Sequence, residues 1–444
     1  MDSEEAAAVS EVADDVDTPR AVGTTVKRRI GRGAAWMIPA GYAAAAIAIG
    51  IALPRLEHRF SLDLSSGIDS TSAIAIYSAV ATGTMTLSAI VFSLTFVMVQ
   101  FSATVYSPRL VLWLTENRLI SHALGIFTGT YLYSIWAIAW INRDNVQGVP
   151  ITGAVVAMVW LLASIAAFIA LIKRVAALQV NRMLAFTGNQ GRRVIAALYP
   201  DDPPTAEDEH HACASGEPAQ VVAHHGRPRA VQAIDAAALL KLAQDADARI
   251  EVAAAVGDTV MESTALFHVY GATIPERQLI ATIQVGDQRT FEQDPQYAIR
   301  LLVDIAIRAL SPAINDPTTA VQALDEIGDL LLRLGRRCLA TAPLRDGAGA
   351  VRVVLPLPSW DDFVRLAFDE ICAYGASSVQ VMRRMNALLT EMIRALPKTR
   401  RPALESWRQR LESSIKTNFA DLDLRRDAFV GDRQGLGVSR PNAA

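Results

Sequence analysis

Residues 70–108 read STSAIAIYSAVATGTMTLSAIVFSLTFVMVQFSATVYSP, and no Asp, Glu, Lys or Arg interrupts them. About 20 apolar residues in a helix span the roughly 30 Å of hydrocarbon in a bilayer. Three further uncharged runs flank this one: Gly33–Pro54, Leu119–Asn142 and Asn145–Ile172. All four lie in the first 172 residues. The expected fold class is an α-helical polytopic membrane protein with four transmembrane helices, at about 34–53, 73–101, 120–141 and 151–172. A C-terminal cytoplasmic α+β part follows, a small β-rich module and then helices.

Composition agrees. The 444 residues are 51% hydrophobic with mean hydropathy +0.25. A net charge of -3 provides no global basic field, so nucleic acid is not an expected partner. The three cysteines, Cys213, Cys338 and Cys372, lie far apart in the part expected in the cytosol, where thiols stay reduced. Residues 1–29 are acidic and Ala-rich and read as disordered, as does the tail 431–444. No cleavable signal peptide is read; the first apolar run is an anchor.

Basic residues near span ends set orientation. Lys27, Arg28, Arg29, Arg32, Arg109, Arg118, Lys173, Arg174, Arg182, Arg192 and Arg193 fall on one side, against Arg55, Arg59 and Arg143 on the other. Both termini are therefore expected in the cytoplasm, with short outer loops at about 54–72 and 142–150.

The second span is long and hydroxyl-rich. Its 29 residues, 73–101, make about 44 Å of helix, so it tilts or projects. Ser78, Thr82, Thr86, Ser93 and Gln100 fall within one stripe at helical spacing. Thr84, Ser88, Thr95 and Ser102 form a second stripe on nearly the opposite face. Two readings stay open. Hydroxyls bond to the carbonyl one turn back or to neighbouring helices as packing contacts; or several copies of the span surround a hydroxyl-lined pore, which requires a homo-oligomer. In the third span, Gly125 and Gly129 stand one turn apart and let two helix backbones approach closely. No span holds a buried carboxylate or basic residue; His122 sits at a span end. That counts against a proton-driven transporter and says little against a passive channel. After span two, Pro108 opens a short interfacial helix, 110–115.

These segments carry a resemblance. Leu87–Thr95, Gln100-Phe101-Ser102, Tyr106–Leu110 and Leu124–Tyr131 resemble the bacterial predicted membrane proteins grouped as domain of unknown function 2254. The most specific match is Ala309–Pro317, ALSPAINDP, with Thr319 and Ala320. Ala313 stands where the family pattern has Gly. The resemblance covers about residues 30–425. It implies a bacterial plasma-membrane protein with four spans and carries over no catalytic residue.

Residues 176–218 read as a helical extension of span four and a linker; a polar loop continues it to 229. His210, His211, Cys213, His224 and His225 lie in that loop, but their spacing matches no standard zinc pattern, and no metal is expected. Residues 219–275 read as a small β-rich module with one helix, Asp235–Ala246. The run from Gly257 to Phe267 resembles half of a lipoyl or biotinyl barrel. The nearby Lys241 falls on the helix and not on a hairpin tip, so the module reads as structural or ligand-binding.

Residues 276–430 read as a helical domain. Asp294 caps and Pro295 opens a helix to about Leu310 that carries Arg300, Asp304 and Arg308 on one face. Asp316 caps a second helix, opened by Pro317 and stopped at Gly335. Asn315, Asp316 and Thr319 form either a plain cap turn or, with Arg300 and Arg308, a polar site for a small anionic ligand or another subunit's carboxylate. Ser359 and Asp362 make a capping box before a long helix to about Leu396, and Pro402 opens another to about Leu424. No nucleophile–base pair, phosphate loop or metal motif appears, so no enzyme activity and no cofactor is expected. The functional expectation is an oligomeric channel-like or conductance-regulating protein with a cytoplasmic regulatory domain. The alternative is a membrane-anchored ligand-sensing or scaffold protein.

Overall fold

The computed structural model of the chain describes residues 37–60, 68–105, 118–144, 148–149, 151–176, 180–199, 216–339 and 343–434. Four long helices come first: α1 (Met37–Phe60), α2 (Ser70–Val105), α3 (Arg118–Asp144) and α4 (Ile151–Ala176). Three contain runs long and apolar enough to cross a membrane: Ser70–Val97, Leu119–Ile141 and Thr152–Lys173. The apolar run of α1, Met37–Leu53, is shorter, and residues 34–36 of the first expected span lie outside the described residues. So does the expected interfacial helix 110–115. A two-residue antiparallel pair, β1 (Ile68–Asp69) with β2 (Gly148–Val149), ties the α1–α2 connection to the α3–α4 connection.

Helix α3 is the centre of this bundle and packs against α1, α2 and α4. The sequence permits that because its glycines remove side chains where neighbours cross. A Cβ on Gly125 would sit 2.5 Å from the Tyr42 ring, and one on Gly129 would sit 2.9 Å from Trp160. The Gly125/Gly129 pair thus serves contacts within one chain, to α1 and α4. Polar groups here are spent between helices: Thr130 meets Ser164 at 2.9 Å, and the Tyr133 hydroxyl donates to the Gly153 carbonyl at 3.0 Å.

Helix α5 (Val180–Leu198) leads out of the bundle into the C-terminal part. The β module follows. Five strands order as β3 (Gln220–Ala223), β7 (Ala265–Tyr270), β5 (Arg249–Val252), β10 (Val351–Val354) and β9 (Leu344–Arg345). Three more order as β6 (Thr259–Val260), β4 (Arg229–Ile234) and β8 (Ile283–Gly286). The expected helix is α6 (Ala236–Asp245), capped by Asp235, and a short α7 (Glu276–Ile280) precedes β8. Val231, Leu239, Ile250, Phe267 and Val269 form the module's core with no exposure. Strands β8, β9 and β10 come from the stretch read as purely helical, and β10 pairs in parallel with β5. Alternation of buried and exposed residues is too short in these strands to stand out in sequence.

The helical part comprises α8 (Pro295–Ala309), α9 (Pro317–Gly335), α10 (Trp360–Tyr374), α11 (Val379–Ala395), α12 (Arg401–Asn418) and α13 (Leu422–Phe429). The expected caps form: Asp294 accepts from the Tyr297 amide, Asp316 from the Thr319 amide, and Ser359 with Asp362 makes the reciprocal box. Two long expected helices are each broken. Helix α10 stops at Gly375, and Ser378 caps α11 as a fresh start; α12 ends at Phe419, and Asp421 caps α13. Each break coincides with residues that compete for backbone hydrogen bonds, Ser and Asp, which continuous apolar spacing conceals. Helix α5 packs on α8 and α9, and Leu302, Ile327, Leu331, Phe363 and Phe368 lie fully buried in the shared core.

Candidate functional site

Helix α2 carries the polar residues that distinguish the bundle, and the structure separates its two hydroxyl stripes. Thr84 is fully buried, and Ser88 and Thr95 are half-buried against the other helices. Thr84 Oγ1 donates to the Val80 carbonyl at 2.9 Å, and Ser88 Oγ donates to the Thr84 carbonyl at 2.9 Å. The opposite stripe, Ser78, Thr82, Thr86, Ser93 and Gln100, is exposed along its length. Thr86 Oγ1 donates to the Thr82 carbonyl at 2.9 Å. Small residues, Ala75, Ala79, Gly83 and Ala89, share this outward side. Bulky apolar residues border it: Met85, Phe92 and Phe96, the last two 65% and 69% exposed.

The outward face of α4 differs. Val155, Met158, Val159 and Leu162 are exposed with no charged residue among them, a surface suited to hydrocarbon. The exposed line on α2 is thus a strip of hydroxyls and small side chains set in an otherwise apolar exterior. Chemically it offers hydroxyl oxygens and protons to water, to ions or to an identical strip, and no titratable group to relay protons.

Among the polar candidates of the C-terminal part, Arg300 and Asp316 are already engaged by neighbouring groups. Arg300 Nε donates to Asp304 at 2.6 Å, and its two terminal nitrogens reach the Glu370 carboxylate on α10, one of them at 2.9 Å. Two carboxylates therefore already neutralise Arg300, and an anion would have to displace one. Arg308 sits half-buried on the last turn of α8. Asn315 adopts φ +50°, the left-handed region this residue type tolerates. Asp316 spends one carboxylate oxygen on the Thr319 amide at 3.1 Å and the other on the Thr319 hydroxyl at 2.6 Å. Of the histidines in the linker, His210 and His211 lie outside the described residues, as does Cys213. His225 meets Glu262 at 2.9 Å on an exposed surface.

Sequence reading missed the polar contacts that join helices distant in the chain. Arg192 of α5 bridges Glu326 at 2.9 Å and Asp329 at 2.7 Å on α9, and Arg333 also holds Asp329. Burial alone would raise the Asp329 pKa; hydrogen bonds from Arg333 and Arg192 overcome it and hold the carboxyl below its ordinary value. Arg289 grips Asp294 through two hydrogen bonds, of 2.7 and 2.8 Å, yet burial pushes that carboxyl above its ordinary value. Runs of Arg and Asp at one-turn spacing were visible; which of them meet was not.

The hydrogen bond from Arg300 holds Glu370 below the usual glutamate range. Because the folded value is lowered, the pair's contribution is fully present above about pH 4.3, the unfolded glutamate value, and is lost as pH falls through the lower folded value. Unfolding measured for the wild type and Glu370→Gln should differ at neutral pH and converge in acid. A gap that persists unchanged well below the glutamate range would refute the pairing.

Three helices long and apolar enough to cross a membrane, joined to an α+β part, have the character of a membrane protein. The chain belongs to the predicted membrane protein family named domain of unknown function 2254, whose model matches residues 32–391. It is 26% identical over 354 residues to an uncharacterized protein of Mycobacterium tuberculosis, covering 76% of this chain and 67% of that relative. An uncharacterized protein of Mycobacterium bovis matches with the same identity and coverage. No solved structure matches the chain.

Proposed function

We propose that this is a four-span, multi-pass plasma-membrane protein with both termini in the cytoplasm, which assembles as a homo-oligomer and acts as a channel or regulator of conductance. Its C-terminal α+β part is the cytoplasmic regulatory domain. One observation carries the reading: Ser78, Thr82, Thr86, Ser93 and Gln100 line the outward face of the longest apolar helix. Lipid gives such groups no partner, whereas copies of α2 arranged around an axis would turn them toward water. The small side chains beside them allow helices to approach closely.

A second reading, a membrane-anchored ligand-sensing or scaffold protein, draws on the Thr86–Thr82 bond, because a hydroxyl satisfied by its own helix tolerates lipid. Ion flux through vesicles containing the purified chain separates the two. The channel reading expects flux that Thr86→Val reduces several-fold, since valine keeps the shape and removes the hydroxyl. Folded, vesicle-inserted protein without flux would replace it with the scaffold reading.

A further inference from the structure

The turn between α8 and α9, Ser311-Pro312-Ala313-Ile314-Asn315, is the motif that the channel reading leaves without a role. Its position follows from helix register. Helix α5 runs parallel to α9: a Cβ on Gly188 would meet Glu326, one on Gly191 would sit 2.8 Å from Leu330, and Arg337 donates to the Tyr199 carbonyl. Followed back to the N-termini of both helices, this register brings Pro317 level with Val180. Val180 comes four residues after Ala176, the last residue of α4, so the two are at most about 14 Å apart. Helix α8 returns antiparallel to α9 and also touches α2. The turn therefore sits at the end of the C-terminal part that faces the bundle.

Its surface chemistry is unlike that of a solvent loop. Pro312, Ala313 and Asn315 are exposed, and Ile314 is 43% exposed. Between Asp304 and Asp325 the chain has two charged residues, Arg308 and Asp316, and Asp316 is spent on the α9 cap. Basic residues flank the α4–α5 junction: Lys173 near the end of α4 and Arg182 at the start of α5, both exposed. An exposed isoleucine on a charge-poor turn, with lysine and arginine nearby, matches the headgroup boundary of an anionic bilayer.

We propose that this turn is a membrane-surface contact, with the Ile314 side chain entering the headgroup boundary of the leaflet that α4 leaves. The contact ties the α8–α9 hairpin to the lipid and, through α5, to the last apolar helix. It rests on the reading of α2, α3 and α4 as membrane-embedded, and the test keeps the two apart.

The test uses the full chain with its cysteines replaced (Cys213→Ser, Cys338→Ser, Cys372→Ala), in vesicles of phosphatidylcholine and phosphatidylglycerol. An environment-sensitive fluorophore is attached through Ile314→Cys, Ile169→Cys on the lipid-suited face of α4, or Leu422→Cys, one at a time; Ile169 and Leu422 are 49% and 73% exposed. Lipids carrying a shallow nitroxide and aqueous iodide serve as quenchers. The expected result is that position 314 responds to the shallow nitroxide several-fold more than position 422 and is shielded from iodide. Iodide quenching at 314 equal to that at 422 overturns the proposal. Protection from both quenchers also overturns it, because a protein surface would then cover the turn. If position 169 also escapes nitroxide lipids, the membrane reading falls together with the inference.

Discussion

Phe363→Ala should destabilise the C-terminal part by about 3–5 kcal/mol, the usual cost of emptying a buried phenylalanine site. Phe363 is fully buried on α10, and its ring stands 6.5 Å from that of Tyr199, edge to face. Tyr199 closes α5 and is itself buried. The substitution removes a large side chain and the aromatic contact that holds the end of α5 against α10. The site has little freedom to collapse, because rigid helices surround it. Thermal and denaturant unfolding of the full chain in detergent, followed by tryptophan fluorescence, measures the loss. A change below about 1 kcal/mol would mean that α10 and α5 do not meet as described.

Arg192→Glu should cost about 3 kcal/mol, because it places a third carboxylate against Glu326 and Asp329. The Arg192 side chain is 25% exposed and Glu326 23%, so water screens the repulsion only in part. Gly188 lies one turn before Arg192, and a Cβ there would fall 1.9 Å from the Glu326 carboxylate, so α5 and α9 approach closely at this point. Hydrogen exchange over residues 180–198 should rise in the variant. Adding Glu326→Arg to Arg192→Glu should restore part of the loss, as a direct charge pair requires. Additive effects of the two substitutions would show that the groups do not interact in solution.

Local signals were legible in the sequence and long-range ones were not. Uncharged runs located the apolar helices to within a few residues, since hydrocarbon compatibility is a property of composition. Asp294-Pro295, Asp316-Pro317 and Ser359 with Asp362 announced their helix starts, because a cap is chemistry within four residues. Hydroxyl spacing on α2 gave two stripes, but only packing revealed that the Thr84 stripe faces inward and the Thr86 stripe outward. Arg300 pairs with Asp304, its neighbour one turn along the helix, and that spacing is visible in the sequence. Its second partner, Glu370, lies 70 residues away, and no local pattern reports it. Strand β10 escaped for the same reason: Val351–Val354 becomes a strand by lying beside β5.

If copies of this chain meet along the outward strip of α2, as proposed, subunits should be countable and that strip should cross-link. The direct measurement is subunit count by native mass spectrometry in lipid nanodiscs, with cross-linking through Thr86→Cys in the cysteine-free background. The expected result is one closed oligomer of three or more subunits, with Thr86→Cys pairs forming between chains and Leu162→Cys pairs failing to form. A monomer at all protein concentrations, with no cross-link through position 86, would contradict it.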